Sequence, residues 1–267
     1  MKWLFKTFFL FLSIFLCSLT LLFLRLIFFF WPVIKMRAAA FTVHVFGRIF
    51  VFILGIKVKI TGQKELLKSR GVFLVSNHLG YIDGIVATSL TPLIFVAKAD
   101  IRSWPFFGFF TFLSDTVFVN RQNPAQIKKE IEKITGVLKN KVNIIIFPEG
   151  TSTNGEKLLP FKSSFFSAPL KARAKIVPLV VTYKSLNHCD IDSSNRDLVY
   201  WYGTMKFFPH LLNVLKQDSI TLEIKVCSPL EIKNENPAQE KQLRKATSDA
   251  CWSIIGKNLS REDALAG

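Results

Sequence analysis

A histidine and an aspartate five positions apart, His78 and Asp83, are the residues whose types and spacing are best suited to chemistry. They stand in the run Ser76-Asn77-His78-Leu79-Gly80-Tyr81-Ile82-Asp83, which follows the apolar segment VFLV (72–75) and leads into DGIVATSL (83–90), a helical pattern. That context predicts a strand-to-helix turn carrying His78, with Asp83 at the helix entrance. Gly80 gives the turn freedom to fold back, so imidazole and carboxylate can meet. A histidine held by a carboxylate is fixed in one tautomer, and the imidazolium it forms is stabilised. Such a pair can remove a proton from an alcohol without a Ser or Cys nucleophile. Read alone, the same residues also fit a helix N-cap and an exposed loop histidine.

Three further groups stand where apolar runs end. NIII (143–146) passes through Phe147 into Pro148-Glu149-Gly150-Thr151-Ser152, and such a corner at a strand's C-terminal end is a usual place for a ligand loop in an open α/β sheet. Gly and Pro punctuate simple polar turns as well. TVFV (116–119) ends in Asn120-Arg121, and arginine's planar fork suits a phosphate, although a solvated surface arginine has the same signature. Lys98, directly after LIFVA, is open to both readings.

The elements that must position these residues read as an α/β domain with a mixed, mostly parallel sheet flanked by helices. Short β-branched runs at 58–60, 72–75, 93–96, 116–119, 143–146, 175–181 and 221–226 are the strand candidates. Between them the clearest helix is PAQIKKEIEKITGVLKN (124–140), with Ile127, Ile131, Ile134 and Leu138 on one stripe and Pro124 at its start. Strands alternating with helices argue for this class of sheet. Residues 237–258 read as a final charged, amphipathic helix.

The first 56 residues differ from the rest. Thr7 to Leu24 is a run of 18 residues without a charge, and after Arg25 it resumes as LIFFFWPVI (26–34). A spanning helix needs roughly 20 apolar residues, so the run reaches the lower limit. The first acidic residue is Glu65, after nine basic ones: Lys2, Lys6, Arg25, Lys35, Arg37, Arg48, Lys57, Lys59 and Lys64. Residues 1–56 are therefore expected to be membrane-anchoring helices and 57–267 the catalytic domain. More basic residues follow the run than precede it, which favours a cytoplasmic body if residues 7–24 span. The stretch Ala38 to Ile56, broken by His44 and Arg48, suits an interfacial or re-entrant helix. A cleaved signal peptide fits less well, because Arg25, Trp31 and Lys35 intervene before Ala38-Ala39-Ala40.

Composition narrows the partners. The chain has 267 residues, half of them hydrophobic, and a net charge of +16, which calls for an anionic partner. Much of that charge flanks apolar segments, which points to an anionic bilayer rather than nucleic acid. Cys17, Cys189, Cys227 and Cys251 lie far apart, supporting neither a zinc site nor a disulfide framework. His44, His188 and His210 are isolated from other candidate metal ligands, so no metal is expected.

In order along the chain, NHLGYID, Lys98 with WPFFG, TVFVNR, FPEGTS and IVPLVV resemble the 1-acylglycerol-3-phosphate acyltransferase family over roughly residues 57 to 185. Asn77, His78 and Asp83 fill its NH-x4-D block, Arg121 its second, Phe147 to Thr151 its FPEGT block, and Pro178 its strand proline. Two positions depart from the common pattern: Gly80, where Ser is frequent, and Asp115-Thr116, where Gly-Thr or Gly-x is. The resemblance implies the glycerolipid acyltransferase fold and direct attack, with His78 as base and Asp83 orienting it. The substrate would be the sn-2 hydroxyl of 1-acyl-sn-glycerol 3-phosphate, the product phosphatidic acid, and the donor acyl carrier protein or CoA thioester. No other cofactor is implied. It also implies a substrate-binding set of Asn77, Lys98, Arg121, Glu149, Gly150, Thr151 and Pro178, with Lys98 and Arg121 on the acceptor phosphate. FPEGTSTNGEKLLPFKSSFF and WYGTMKFFPHLL look like a branch that includes lyso-ornithine-lipid acyltransferases, so that acceptor stays open, as do other lysolipids. A membrane-anchored lipid-binding protein is the non-enzymatic alternative. The expected location is the cytoplasmic (inner) membrane, with the catalytic domain facing the cytoplasm.

Overall fold

A computed structural model of the chain describes residues 2–103, 107–119, 124–230 and 240–263. It opens with two long helices, α1 (Lys2–Ile27) and α2 (Pro32–Leu54). The sheet strands are β1 (Ile56–Gly62), β2 (Phe73–Ser76), β3 (Leu93–Lys98), β4 (Val117–Val119), β5 (Asn143–Ile146), β6 (Ile176–Leu186), β7 (Cys189–Asp190) and β8 (Ile220–Val226). Helices α3 (Tyr81–Leu90), α4 (Phe107–Leu113), α5 (Pro124–Lys139), α6 (Ser167–Ala172), α7 (Phe207–Lys216) and α8 (Glu240–Asp263) complete the chain. Every expected strand is present. The last helix begins at Glu240, and residues 237–239 of its expected start lie outside the described residues.

The strand order is β1-β8-β6-β2-β5-β3-β4, with β7 paired to β6. Strands β6, β2, β5, β3 and β4 run parallel to one another, while β7 and β8 pair antiparallel with β6 and β8 pairs parallel with β1. The sheet is thus mixed and mostly parallel. Its central strands are buried on both faces, which explains why they read as continuous apolar runs. Phe73, Val75, Ile144 and Ile146 face the layer containing α5, α6 and α8. Leu74 and Ile145, one residue out of phase, face the opposite layer with Ala87 of α3. On α5, Ile131, Ile134 and Leu138 of the expected stripe are buried and Ile127 is partly so.

The amino-terminal helices are longer than the uncharged runs within them. Helix α2 starts at Pro32 instead of Ala38, because proline's fixed φ and missing N–H suit a first helical turn. Helix α1 absorbs Lys2, Lys6 and Arg25, because their side chains reach partners on the domain. Lys6 Nζ donates to the carbonyls of Leu54 (3.2 Å) and Gln217 (2.6 Å), and Lys2 pairs with Asp218 at 3.5 Å. At the far end, Arg25 pairs with Asp115 at 2.9 Å, its guanidinium 4.5 Å from the centroid of the Phe112 ring. Helix α2 is held by Arg37, which donates to the Asn140 carbonyl, and by His44 Nδ1, 2.7 Å from the Thr88 carbonyl of α3. A helix of 26 residues is about 39 Å long, and with both ends tied to the domain it lies along that domain. Its other face leaves Phe5, Phe8, Phe15, Phe23 and Leu26 exposed, continuous in sequence with Phe29, Phe30 and Trp31 at the hairpin tip. Both helices are long and apolar enough to cross a membrane.

Candidate active site

Parallel β2, β5, β3 and β4 end on one edge of the sheet, and the expected functional residues stand in the segments that leave it. His78 follows β2, Phe147 to Thr151 follow β5, and Lys98 closes β3. Arg121, beyond the end of β4, lies outside the described residues.

After β2 the chain leaves the ladder at Ser76, and Asn77 replaces the next backbone pairing with its side chain. Its amide nitrogen donates to the Val181 carbonyl at 2.9 Å, and its oxygen accepts the Val181 N–H at 2.8 Å. Asparagine suits this position because one side chain presents both a donor and an acceptor. His78 is thereby placed just beyond the sheet edge. Its Nδ1 lies 2.9 Å from Asp83 Oδ2. That oxygen also accepts the N–H groups of Leu79 (2.6 Å) and Gly80 (2.9 Å), so Asp83, in the first turn of α3, reaches back over its own helix entrance. The other oxygen, Oδ1, accepts the Tyr183 hydroxyl at 2.8 Å. The Asp83 side chain is fully buried, whereas that of His78 keeps 21% of its surface exposed.

A carboxylate only accepts, so Nδ1 carries the proton and Nε2 is left as the basic nitrogen. The imidazole stacks on Phe147, with centroids 4.1 Å apart and planes 19° from parallel. From the same turn, buried Glu149 accepts the His78 N–H on Oε1 (2.8 Å) and the Leu159 N–H on Oε2 (2.9 Å). Burial pushes the Glu149 carboxyl above its ordinary pKa, against the pull of those two N–H donors. Gly150 closes the turn with its N–H on the Phe147 carbonyl, at φ +82°, in the left-handed region that favours glycine. Thr151 is exposed just beyond it.

The structure thus joins His78 and Asp83 and brings Glu149 against them, and it buries three of the expected substrate-binding residues. Asn77 is 3% exposed with its amide committed to β6, and Glu149 is 4% exposed with both oxygens on backbone N–H groups. Both side chains hold the turn through these bonds. Pro178 is buried in β6 opposite Val75, with its carbonyl accepting the Cys227 N–H. It stands where the β8 ladder ends, one step beyond Leu179–Val226, so its missing N–H costs only the reciprocal bond to Cys227. Lys98 is exposed at the end of β3, two strand spacings, about 10 Å, from β2. The N–H groups of His78, Leu79 and Gly80 all donate to carboxylates, so none of them is a donor for a reaction oxyanion.

Sequence reasoning missed Tyr183 and the segment 199–205. Tyr183 is 3% exposed, and burial foremost, then the Asp83 charge, holds its phenol well above the usual range, so it stays protonated. Tyr200 packs edge-on against it at 5.0 Å, and Trp201 donates its N–H to the Leu79 carbonyl at 2.9 Å. The available signal was parity: Tyr183 is two residues beyond Val181 on β6 and therefore on the same face. Among the described residues, no group of three or more His, Cys, Asp or Glu side chains could hold a metal ion.

Comparison with known proteins bears on the family and the fold. Residues 57–182 match the family described as Acyltransferase. The chain is 30% identical over 184 residues to a lyso-ornithine lipid O-acyltransferase of Rhizobium meliloti, covering 66% of this chain but only 62% of that protein. It is 34% identical over 155 residues to a 1-acyl-sn-glycerol-3-phosphate acyltransferase of Cocos nucifera, covering 57% of this chain and 50% of the other. The crystal structure of a 1-acyl-sn-glycerophosphate acyltransferase from Thermotoga maritima has the same fold, with a TM-score of 0.60 at 18% identity over 93% of this chain and 95% of that one.

Proposed function

Because the chain belongs to the acyltransferase family, we propose that it is a membrane-bound O-acyltransferase moving a fatty acyl group from a thioester to the hydroxyl of a lysolipid. The observation that carries this reading is His78 Nδ1 held 2.9 Å from buried Asp83, which leaves Nε2 as a base at the sheet edge. Nε2 takes the acceptor's hydroxyl proton as the oxygen attacks the thioester carbonyl. The tetrahedral intermediate then expels the thiolate, and the imidazolium returns the proton to it. No acyl-enzyme forms. The donor is an acyl carrier protein or CoA thioester, and no further cofactor takes part.

The acceptor we put first is 1-acyl-sn-glycerol 3-phosphate, with phosphatidic acid as product, its phosphate held by Lys98 and Arg121. A second reading, lyso-ornithine lipid, is supported by the reach of the alignments: 184 and 197 residues with two relatives of that name, against 155 with the plant lysophosphatidate enzymes. Membranes containing wild type or His78→Ala, offered each acceptor with each donor, test both readings. Product from one acceptor that disappears in His78→Ala supports the chemistry and names the substrate. Equal product from both proteins removes His78 as the base.

The amino-terminal hairpin would deliver lysolipid and product along the bilayer. Since both ends of α1 are tied to the domain, α1 and α2 lie in one leaflet of the cytoplasmic membrane, with their Phe- and Leu-rich face among the acyl chains and the domain in the cytoplasm. An impermeant thiol reagent on the face opposite the domain should not label Phe30→Cys in a Cys189→Ser background. Labelling from that face would establish a spanning hairpin instead.

A further inference from the structure

Asp83 is bound on both oxygens, and the two sides do different things. Oδ2 carries the histidine and two backbone N–H groups, all from the turn that α3 itself closes. Oδ1 has the Tyr183 hydroxyl at 2.8 Å, from a strand a hundred residues away in sequence. Tyr183 also stands one residue past the segment that matches the family, which ends at position 182. We propose that Tyr183 is a positioning residue for acyl transfer: its hydroxyl locks the rotation of the Asp83 carboxylate and, by drawing charge onto Oδ1, sets how strongly Oδ2 holds the His78 imidazolium.

Turning about the Cβ–Cγ bond displaces both oxygens of a carboxylate, so each anchored oxygen resists it. The anchor on Oδ1 adds to the hold of the Oδ2 donors, and the bond is strong because the Asp83 carboxylate is charged and its side chain fully buried. Tyr183 is itself held, since Tyr200 packs on its ring at 5.0 Å and its backbone pairs with Leu222 of β8, one step before the register of β6 shifts between Tyr183 and Ser185. The same β6 face supplies Val181 to Asn77, so a single strand places both the residue before His78 and the partner of Asp83. The titratable groups that act on the pair are Glu149 from the turn after β5 and Tyr183 from β6, and those that act on Tyr183 in turn are Tyr200 from the segment after β7 and Tyr81 from α3. Besides His78 on Oδ2, the side chain that donates to Asp83 is Tyr183, on Oδ1.

This inference rests on the acyltransferase reading for its kinetic consequence but not for its electrostatic one. In Tyr183→Phe the ring is kept and the donor lost, so Asp83 becomes the stronger partner for the imidazolium. The His78 pKa should rise, and the acid limb of the pH–rate profile should move up with it. kcat should fall about tenfold, the order expected for losing one hydrogen bond to a charged group, while KM for the lysolipid stays within about twofold. Replacing Tyr183 with 3-fluorotyrosine, a stronger donor of nearly the same shape, should move the His78 titration the opposite way. The titration is followed by NMR on histidine-labelled full-length protein, with the His78 signal identified by its absence in His78→Ala, so the charge effect is read without turnover. Opposite shifts in the two variants support the proposal. An unmoved His78 titration in both overturns it, as does a Tyr183→Phe protein that merely melts earlier with an unchanged pH profile. If no acceptor is turned over by wild type, the acyltransferase reading is what fails, and the titration still decides the role of Tyr183.

Discussion

Gly80→Ser should be damaging in this chain. The backbone of Gly80 is extended, with φ 166°, a conformation any residue can adopt, so the demand for glycine is one of space. A Cβ there would lie 2.9 Å from the backbone nitrogen of Trp201 and 3.3 Å from its Cβ, where ordinary contact begins at 3.4 Å. About half an ångström must be found, and a main-chain atom cannot swing aside as a side-chain tip can. The nitrogen in question also donates to the Leu79 carbonyl at 2.9 Å, so moving Trp201 stretches a bond to the residue after His78. Moving Gly80 instead pulls its N–H from Asp83, now 2.9 Å away. Overpacking of this kind costs about 1–3 kcal/mol. For a domain of this size the melting temperature should fall by roughly 2–4 °C per kcal/mol. Because a 1 Å misplacement of reacting groups costs roughly a hundredfold in rate, a half-ångström shift of the His78–Asp83 turn should cost about tenfold. The assay is acyl transfer by purified Gly80→Ala and Gly80→Ser beside a melting curve in the same detergent. Adding Trp201→Gly removes the Cβ contact but not the nitrogen, so it should restore only part of the loss. Full activity with an unchanged melting temperature in Gly80→Ser would refute the reasoning and show that segment 199–205 yields freely.

Two other outcomes follow from the same contacts. Asn77→Ala leaves the Val181 N–H and C=O without their partner in a buried setting, and should destabilise the protein by about 2–4 kcal/mol in denaturant titration; a loss below about 1 kcal/mol would mean that β6 does not depend on this side chain. His210, buried with Nδ1 3.0 Å from the Tyr81 hydroxyl, has its pKa lowered from 6.5 chiefly by burial. The unfolded chain therefore takes up the proton first as pH falls. The stability tied to neutral His210 is whole above about pH 6.5 and is lost as the pH drops from there towards the lowered folded value. Melting temperatures measured between pH 7.5 and 5 should fall more steeply for wild type than for His210→Gln, and parallel curves would rule this out.

The fold was legible in the chain because its central strands are buried on both faces. A strand such as NIII has no polar side to disguise it, and the 3.6-residue spacing of Ile131, Ile134 and Leu138 is equally direct. Helix ends were less legible. Lys6 and Arg25 looked like boundaries of an apolar run, and only their distant partners, Gln217 and Asp115, explain why α1 continues through them.

For the site, local order along the chain was sufficient to name His78 and Asp83, because a turn of five residues closed by the next helix can bring them together by itself. Roles that depend on contacts between distant segments were not available in the same way. Asn77 and Glu149 carry polar groups that would suit a ligand, yet both are committed to backbone from β6 and from the loop after β5. Tyr183 sits in an apolar strand like any core aromatic, and its hydroxyl gains meaning only when the sheet sets β6 beside β2. By itself, then, the sequence determined the sheet, the apolar hairpin and the pair of residues that can move a proton. The tertiary structure alone decided what holds that pair: hydrogen bonds act over about 3 Å, and parallel strands bring partners a hundred residues apart within that reach.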